Sequence, residues 1–195
     1  MSTYYLEGVS SIRQPIALDD YDLDTVRSEW IGRTVASSRG RYPVEHDPIR
    51  RYCHMVGDTN PLYLDPDAAR AGPYGRVIVP LPLVPYFAGN GPWPRRSATR
   101  DSKVAAKFSY GIPTPGDRGL NMNTAWSYLQ PAGIGDHLSA EVVIDDIYMK
   151  AVRLDPAAVW IVTLSSIRNQ AHEVVMETRN TVLVHRARAE LTPDG

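Results

Sequence analysis

Apolar residues recur along this chain with two different periods, and the change of period divides it. Ile49, Tyr52, Cys53 and Val56 stand at i, i+3, i+4 and i+7, which is one apolar face of a helix. Asp47 before Pro48 reads as an N-cap followed by proline at the first helical position, and Gly57 reads as the stop. The grammar repeats with Asp65 as cap, Pro66 as first residue and Gly72 as stop of a second short helix. Residues 82–88 are apolar and suit a helix after Pro82; they follow Val77-Ile78-Val79 and are expected to be buried. From about residue 103 the period becomes two. Val104, Ala106, Phe108 and Tyr110 alternate with polar or small neighbours, as do Leu120, Met122, Thr124, Trp126 and Tyr128, and then Leu138, Ala140, Val142 and Ile144. Residues 159–164 form a continuous apolar run, expected of a strand covered on both faces, and residues 174–184 form a last strand. The connections are too short for parallel crossovers, so the spacing predicts an antiparallel meander with adjacent strands over 120–130, 136–150, 158–168 and 173–186. Helices first and an antiparallel sheet after them make an α+β chain. Residues 1–40 read as an arm with one short helix around Leu23, Val26, Trp30 and Ile31, packed on the domain or on a partner; residues 41–190 read as a single domain.

Composition narrows the function classes. With 195 residues, 43% of them hydrophobic and 22% charged, the chain fits one ordinary globular domain. A formal net charge of −1 gives no general attraction to nucleic acid or to an anionic membrane. A single cysteine, Cys53, excludes a disulfide scaffold and a cysteine-rich zinc site. No His-x-x-x-His pair is present, so no metal is expected. Neither Gly-x-Gly-x-x-Gly nor Gly-x-Ser-x-Gly occurs, and nothing calls for a cofactor. No run approaches the roughly 20 apolar residues of a membrane span. The first ten residues do not read as a secretory signal, so a cytoplasmic protein is the expectation.

The informative segment is Gly57-Asp58-Thr59-Asn60-Pro61-Leu62-Tyr63-Leu64-Asp65-Pro66. It resembles the signature of the MaoC-like hydratase/dehydratase family, in which Gly-Asp-x-Asn-Pro-x-His follows a short amphipathic helix. The resemblance extends through Trp30-Ile31-Gly32 and Ile49-Arg50-Arg51-Tyr52 before it. After it come Ala68-Ala69-Arg70-Ala71, Tyr74-Gly75, the stretch from Leu120-Asn121 to Pro131, and Gly135-Asp136. It is nearest to the N-terminal, first-subunit branch related to two-component (3R)-hydroxyacyl dehydratases. The resemblance implies a hotdog fold, a five- or six-stranded antiparallel sheet wrapped around a central helix. It implies an acyl thioester ligand on coenzyme A or an acyl carrier protein, in fatty acid or polyketide metabolism. It also implies a homodimer or a heterodimer with a second hotdog subunit. In catalytic members the Asp and His of the motif handle the water that adds across an enoyl thioester, one accepting a proton while the other donates.

Here Asp58 is present, but Tyr63 stands at the histidine position. With an unperturbed pKa near 10, tyrosine is a poor base at neutrality, although it can donate a hydrogen bond or a proton. None of His46, His54, His137, His172 and His185 has the motif spacing. Asp58 can equally cap a turn, Asn60-Pro61 can be a turn, and Tyr63 can be a pocket wall. The residues assigned to the site are therefore Asp58 and Tyr63 for chemistry, with Asn60, Val79, Pro80, Phe87 and Trp126 for substrate binding. A narrow acyl pocket is expected near Asp58 and Tyr63, lined partly by residues 79–87. Arg95, Arg96, Arg100, Lys103 and Lys107 form a basic cluster, either a solvated face or an attractor of carrier phosphates, beside a proline-rich loop at Trp93. Three roles stay open: helper subunit of a heteromeric hydro-lyase, stand-alone enzyme with a non-standard Asp58/Tyr63 site in a specialised pathway, or a binding or scaffold protein without chemistry.

Overall fold

The structure is a computed structural model and describes residues 15–89 and 109–187. Among these residues five α-helices, α1 (Leu23–Trp30), α2 (His46–Val56), α3 (Pro61–Leu64), α4 (Pro66–Ala71) and α5 (Val84–Phe87), accompany one sheet. Its strands are β1 (Thr34–Arg39), β2 (Arg118–Tyr128), β3 (Ser139–Met149), β4 (Val159–Arg168) and β5 (Val174–His185). The sheet is five-stranded in the order β1-β3-β4-β5-β2, with every neighbouring pair antiparallel. This is the α+β hotdog arrangement: the sheet carries α2 across one face.

The α2 helix forms because its apolar residues fall on one stripe. Ile49 and Cys53 are fully buried against Leu138, Ile167, Val175 and Met176, and Tyr52 packs at the margin. Gly57 ends the helix in the left-handed region (φ 71°), where a side chain is disfavoured. Two details of the helix differ from expectation. Its N-cap is Glu45, not Asp47, whose carboxylate instead accepts from Arg51 Nε one turn on (2.6 Å). Pro48 still falls within the first turn, where its missing N–H has no intrahelical partner to lose. Val56, the last residue of the expected stripe, is 52% exposed. Asp65, Pro66 and Gly72 do cap, start and stop α4.

The meander is also corrected. β2 does not lie beside β3; it pairs with β5 at the far side of the sheet, Tyr128 opposite Met176 and Trp126 opposite Thr178. β1 then occupies the free side of β3, Ser38 opposite Ala140, and it was not anticipated as a strand. Of the stretch read as a strand from Val104, residues up to Phe108 lie outside the described residues, and Tyr110 sits in a turn. The basic cluster and Trp93 also lie outside them.

Residues opposite one another in a ladder share a face. The covered face of β4 and β5 therefore reads, row by row, Ile167–Met176, Ser165–Thr178, Thr163–Asn180, Ile161–Val182 and Val159–Val184. The first row belongs to the cluster under α2. The last two rows belong to a second cluster with Ile144, Ile147 and Val26 of α1. Arg27 of α1 fixes that helix to β3 through Asp146 (2.8 Å) and the carbonyl of Ile147. Two polar rows lie between the two apolar clusters.

Candidate functional site

Gly57 turns the chain sharply off α2, and the N–H of Asp58 closes the turn on the Cys53 carbonyl (2.9 Å). Asp58 Oδ1 accepts from the N–H of Asn60 (2.9 Å), and Asn60 Oδ1 in turn accepts from the N–H of Leu62 (3.0 Å). Asn60 is thus the N-cap of α3, with Pro61 at its first position. This chain of local bonds delivers Tyr63 to the edge of the main apolar cluster, half-buried beside Tyr52. His46, at the start of α2, holds the same turn from the other side: its Nε2 lies 2.9 Å from the Tyr63 carbonyl. A carbonyl only accepts, so Nε2 carries the proton.

The electrostatics follow from this packing. Burial pushes the Tyr63 phenol up, and the neighbouring Asp58 charge pushes it further, with smaller contributions from Cys53, Tyr74 and Tyr52. Burial, and after it Asp58, also raises the Cys53 thiol. Burial and then Tyr52 raise Tyr128. Tyr63 and Cys53 therefore keep their protons more firmly than in water, and the buried, free Cys53 is no nucleophile. Asp58 Oδ2 accepts no hydrogen bond among the described residues, so one carboxylate oxygen is free to receive one. The pair can offer one acceptor and one donor to a bound group.

The structure brings Asp58, Asn60 and Tyr63 together in one turn. Val79 and Phe87 are buried in the cluster that Tyr63 packs against, with Pro80 buried beside Val79. Trp126 is 58% exposed on β2, opposite Thr178. None of the five histidines hydrogen-bonds to Asp58 among the described residues.

Sequence reasoning missed a cavity of about 320 Å³ over the two polar rows. Thr163, Ser165, Thr178 and Asn180 form its floor, and Ala140 and Ile167 join it to the main cluster. Its walls include Ser38, Gly89 and Tyr110. Of the run 79–87, only Pro85 reaches this cavity. The available signal was the i, i+2 spacing of polar residues at 163 and 165 and at 178 and 180, on strand positions whose flanking partners are apolar.

Among the described residues, two ion pairs on buried carboxylates hold the loops around the sheet. Asp136 is clamped by Arg76 (2.8 and 2.7 Å), Gly133 N–H (2.8 Å) and Gln170 (3.2 Å). Burial alone would raise its carboxyl, but these donors, Arg76 foremost, hold it below the usual range. Asp155 accepts from Arg186 and Ala157 at the other end of the sheet.

Residues 29–178 match the FAS1-like dehydratase domain region family. A probable enoyl-CoA hydratase alpha subunit of Thermomonospora curvata is 30% identical over 165 residues, covering 80% of this chain and 50% of that protein. The chain thus spans half the length of that relative. A UPF0336 protein of Streptomyces griseus is 28% identical over 167 residues, covering 83% of this chain and 95% of the relative. Among solved structures, a chain of the ChsH1-ChsH2 complex from Mycobacterium tuberculosis shares the fold with a TM-score of 0.62 at 19% identity, covering 84% of this chain and 88% of that one. The MaoC-like dehydratase from Rhodospirillum rubrum shares it with a TM-score of 0.53 at 19% identity, covering 88% and 98%.

Proposed function

This chain belongs to the FAS1-like dehydratase-region family, a MaoC-like hotdog group, and on that premise we propose that it is the helper subunit of a heteromeric enoyl-thioester hydratase or dehydratase. It holds the acyl thioester and shapes its pocket, while a second hotdog chain supplies the catalytic Asp and His. The observation that carries this reading is Tyr63. Where the family motif has its histidine, this chain has a phenol whose proton is held more tightly by burial and by Asp58. Such a group can orient a thioester carbonyl by donating a hydrogen bond. It cannot take the proton of an attacking water near neutrality. The relative named an alpha subunit supports a multi-subunit role. So does the outer side of β2, where Leu120, Met122 and Trp126 are exposed and no further strand pairs among the described residues. No helix among the described residues is long and apolar enough to cross a membrane.

The test is hydration of crotonyl-CoA and longer enoyl thioesters, followed by loss of the conjugated thioester absorbance. The purified chain alone should be inactive. Activity should appear on mixing with a hotdog chain that carries an intact Gly-Asp-x-Asn-Pro-x-His motif. Tyr63→Phe, which keeps the ring, should change the activity of the mixture by less than about threefold, because only one neutral hydrogen bond is lost. Hydration by the chain alone, reduced by about 10²–10⁴-fold in Tyr63→Phe as expected for a general acid, would overturn the helper role in favour of a stand-alone enzyme.

A further inference from the structure

We propose that the cavity over the polar rows is an acyl-tail subsite that selects chains bearing oxygen, such as hydroxylated acyl groups, over plain alkyl chains; the proposal rests on the thioester-holding role above.

The argument begins with the face on which these residues lie. One face of this sheet is covered by helices, and its rows at either end are apolar, as a covered face requires. In the middle, Ser165 opposes Thr178 and Thr163 opposes Asn180. The same two rows continue into β2, where Trp126 opposes Thr178 and Thr124 opposes Asn180. This band runs from beneath the helices to β2, the outer strand among the described residues. A cavity of about 320 Å³ sits on it.

Some of the polar groups are spent inside the protein. Thr124 Oγ1 donates to Asn180 Oδ1 (2.7 Å), and Ser38 donates to the Ala88 carbonyl (2.8 Å). Others are not. The hydroxyls of Ser165 and Thr178 and the amide nitrogen of Asn180 have no protein partner among the described residues, although all three side chains are half-buried. These three groups open into the recess rather than being sealed, since the Tyr21 hydroxyl is the one enclosed side-chain polar atom without a partner among the described residues, so they are available to a ligand that displaces water. The wall is fixed as well. Gly89 sits at φ 124°, and a Cβ there would come within 2.9 Å of the Arg39 backbone, so the chain after α5 is pressed onto β1. The recess thus has a firm shape, a polar floor and apolar shoulders at Ala140 and Val142. An alkyl chain entering it would leave the floor unsatisfied. A chain with a hydroxyl at the right carbon would donate to Ser165 or Thr178, or accept from Asn180.

The test compares binding of trans-2-decenoyl-CoA with analogues of the same length carrying one hydroxyl at the middle, near the end or at the end of the chain. Binding to the full chain is measured by calorimetry. At least one hydroxylated analogue should bind about tenfold more tightly than the plain chain, the size expected of one or two net hydrogen bonds. In Ser165→Ala/Thr178→Val that preference should fall below about threefold, because one of the hydrogen bonds is gone. Binding of the plain decenoyl thioester should tighten, because it no longer leaves those two hydroxyls without a partner. Thr178→Val alone, which keeps the branched shape, serves if the double variant does not fold. Equal binding of all analogues by the native chain, or a preference that survives both substitutions, would overturn the inference and leave the thioester role standing. If no thioester binds, with or without a partner hotdog chain, the thioester role itself fails and takes this subsite with it.

Discussion

Asp155 is the residue whose replacement has the most calculable effect. Its side chain is 1% exposed, and it accepts from the Arg186 N–H (2.8 Å), Arg186 Nε (3.1 Å), Arg186 Nη2 (2.6 Å) and the Ala157 N–H (2.8 Å). The pair ties the loop before β4 to the end of β5. Burial alone would push the Asp155 carboxyl up, but the hydrogen bonds and charge of Arg186 prevail and bring it from 3.8 to about 2. A carboxyl depressed on folding adds stability that is fully present above its unfolded pKa and is lost as the pH falls through its folded pKa. At 1.36 kcal/mol per pKa unit the drop is worth about 2 kcal/mol at neutral pH, and about half of that is gone by pH 3. Asp155→Asn removes this contribution and also turns an amide N–H₂ toward the donors of Arg186, adding about 1 kcal/mol of unsatisfied donor. The total of about 3 kcal/mol falls at the lower end of what breaking one side of a buried ion pair costs. Urea denaturation of native chain and variant should show that gap at pH 7 and a narrower one at pH 3. A gap below about 0.5 kcal/mol, the scatter of ordinary surface substitutions, would refute the reasoning. So would a gap that stays constant between the two pH values.

Tyr63→His restores the motif residue beside Asp58, and the chain alone should then hydrate crotonyl-CoA measurably; continued inactivity would mean that the site lacks more than its base. Gly57→Ala introduces a side chain at φ 71° with nothing within 4 Å of the new Cβ. Its cost should therefore be conformational only, about 1 kcal/mol by urea denaturation, and an unchanged midpoint would contradict that. Leu120→Glu/Met122→Glu on the exposed edge strand should shift the chain toward monomer in sedimentation at micromolar concentration. A native chain that is already monomeric, with no partner that binds it, would remove the interface from the proposal.

How much of this was legible in the sequence depended on how local the determining contacts are. The α2 helix was readable because Ile49 and Cys53 are one turn apart and Gly57 supplies a positive φ that few other residues tolerate. α4 was readable because Asp65 caps it from its own side chain (2.9 and 3.1 Å). β1 was not, because as an edge strand it buries only Val35 and so shows no alternation. The pairing of β2 with β5 was not either. It depends on which strand lies alongside when the partners are 48 to 67 residues apart, and both the β2–β5 and β3–β4 ladders contain register shifts that break the period of two. At the site, Asp58 and Tyr63 were found by their motif, but the bond from His46 to the Tyr63 carbonyl joins residues seventeen apart and left no trace in the spacing.

The polar rows went unseen for a different reason. Residues 159–164 read as one apolar run because Val159, Ile161 and Val162 are buried on both sides of the strand, and this average conceals that Thr163 begins a polar stretch on the covered face. Periodicity reports that a face is covered. It does not report whether the cover is protein or something the protein holds. In β4 and β5 the two cases meet within five residues: Ile167 and Met176 touch a helix, while Ser165 and Thr178 touch a cavity. A hydroxyl on a covered face with no partner in its own chain is therefore the kind of residue to look for first when a strand's pattern is read for ligand contacts.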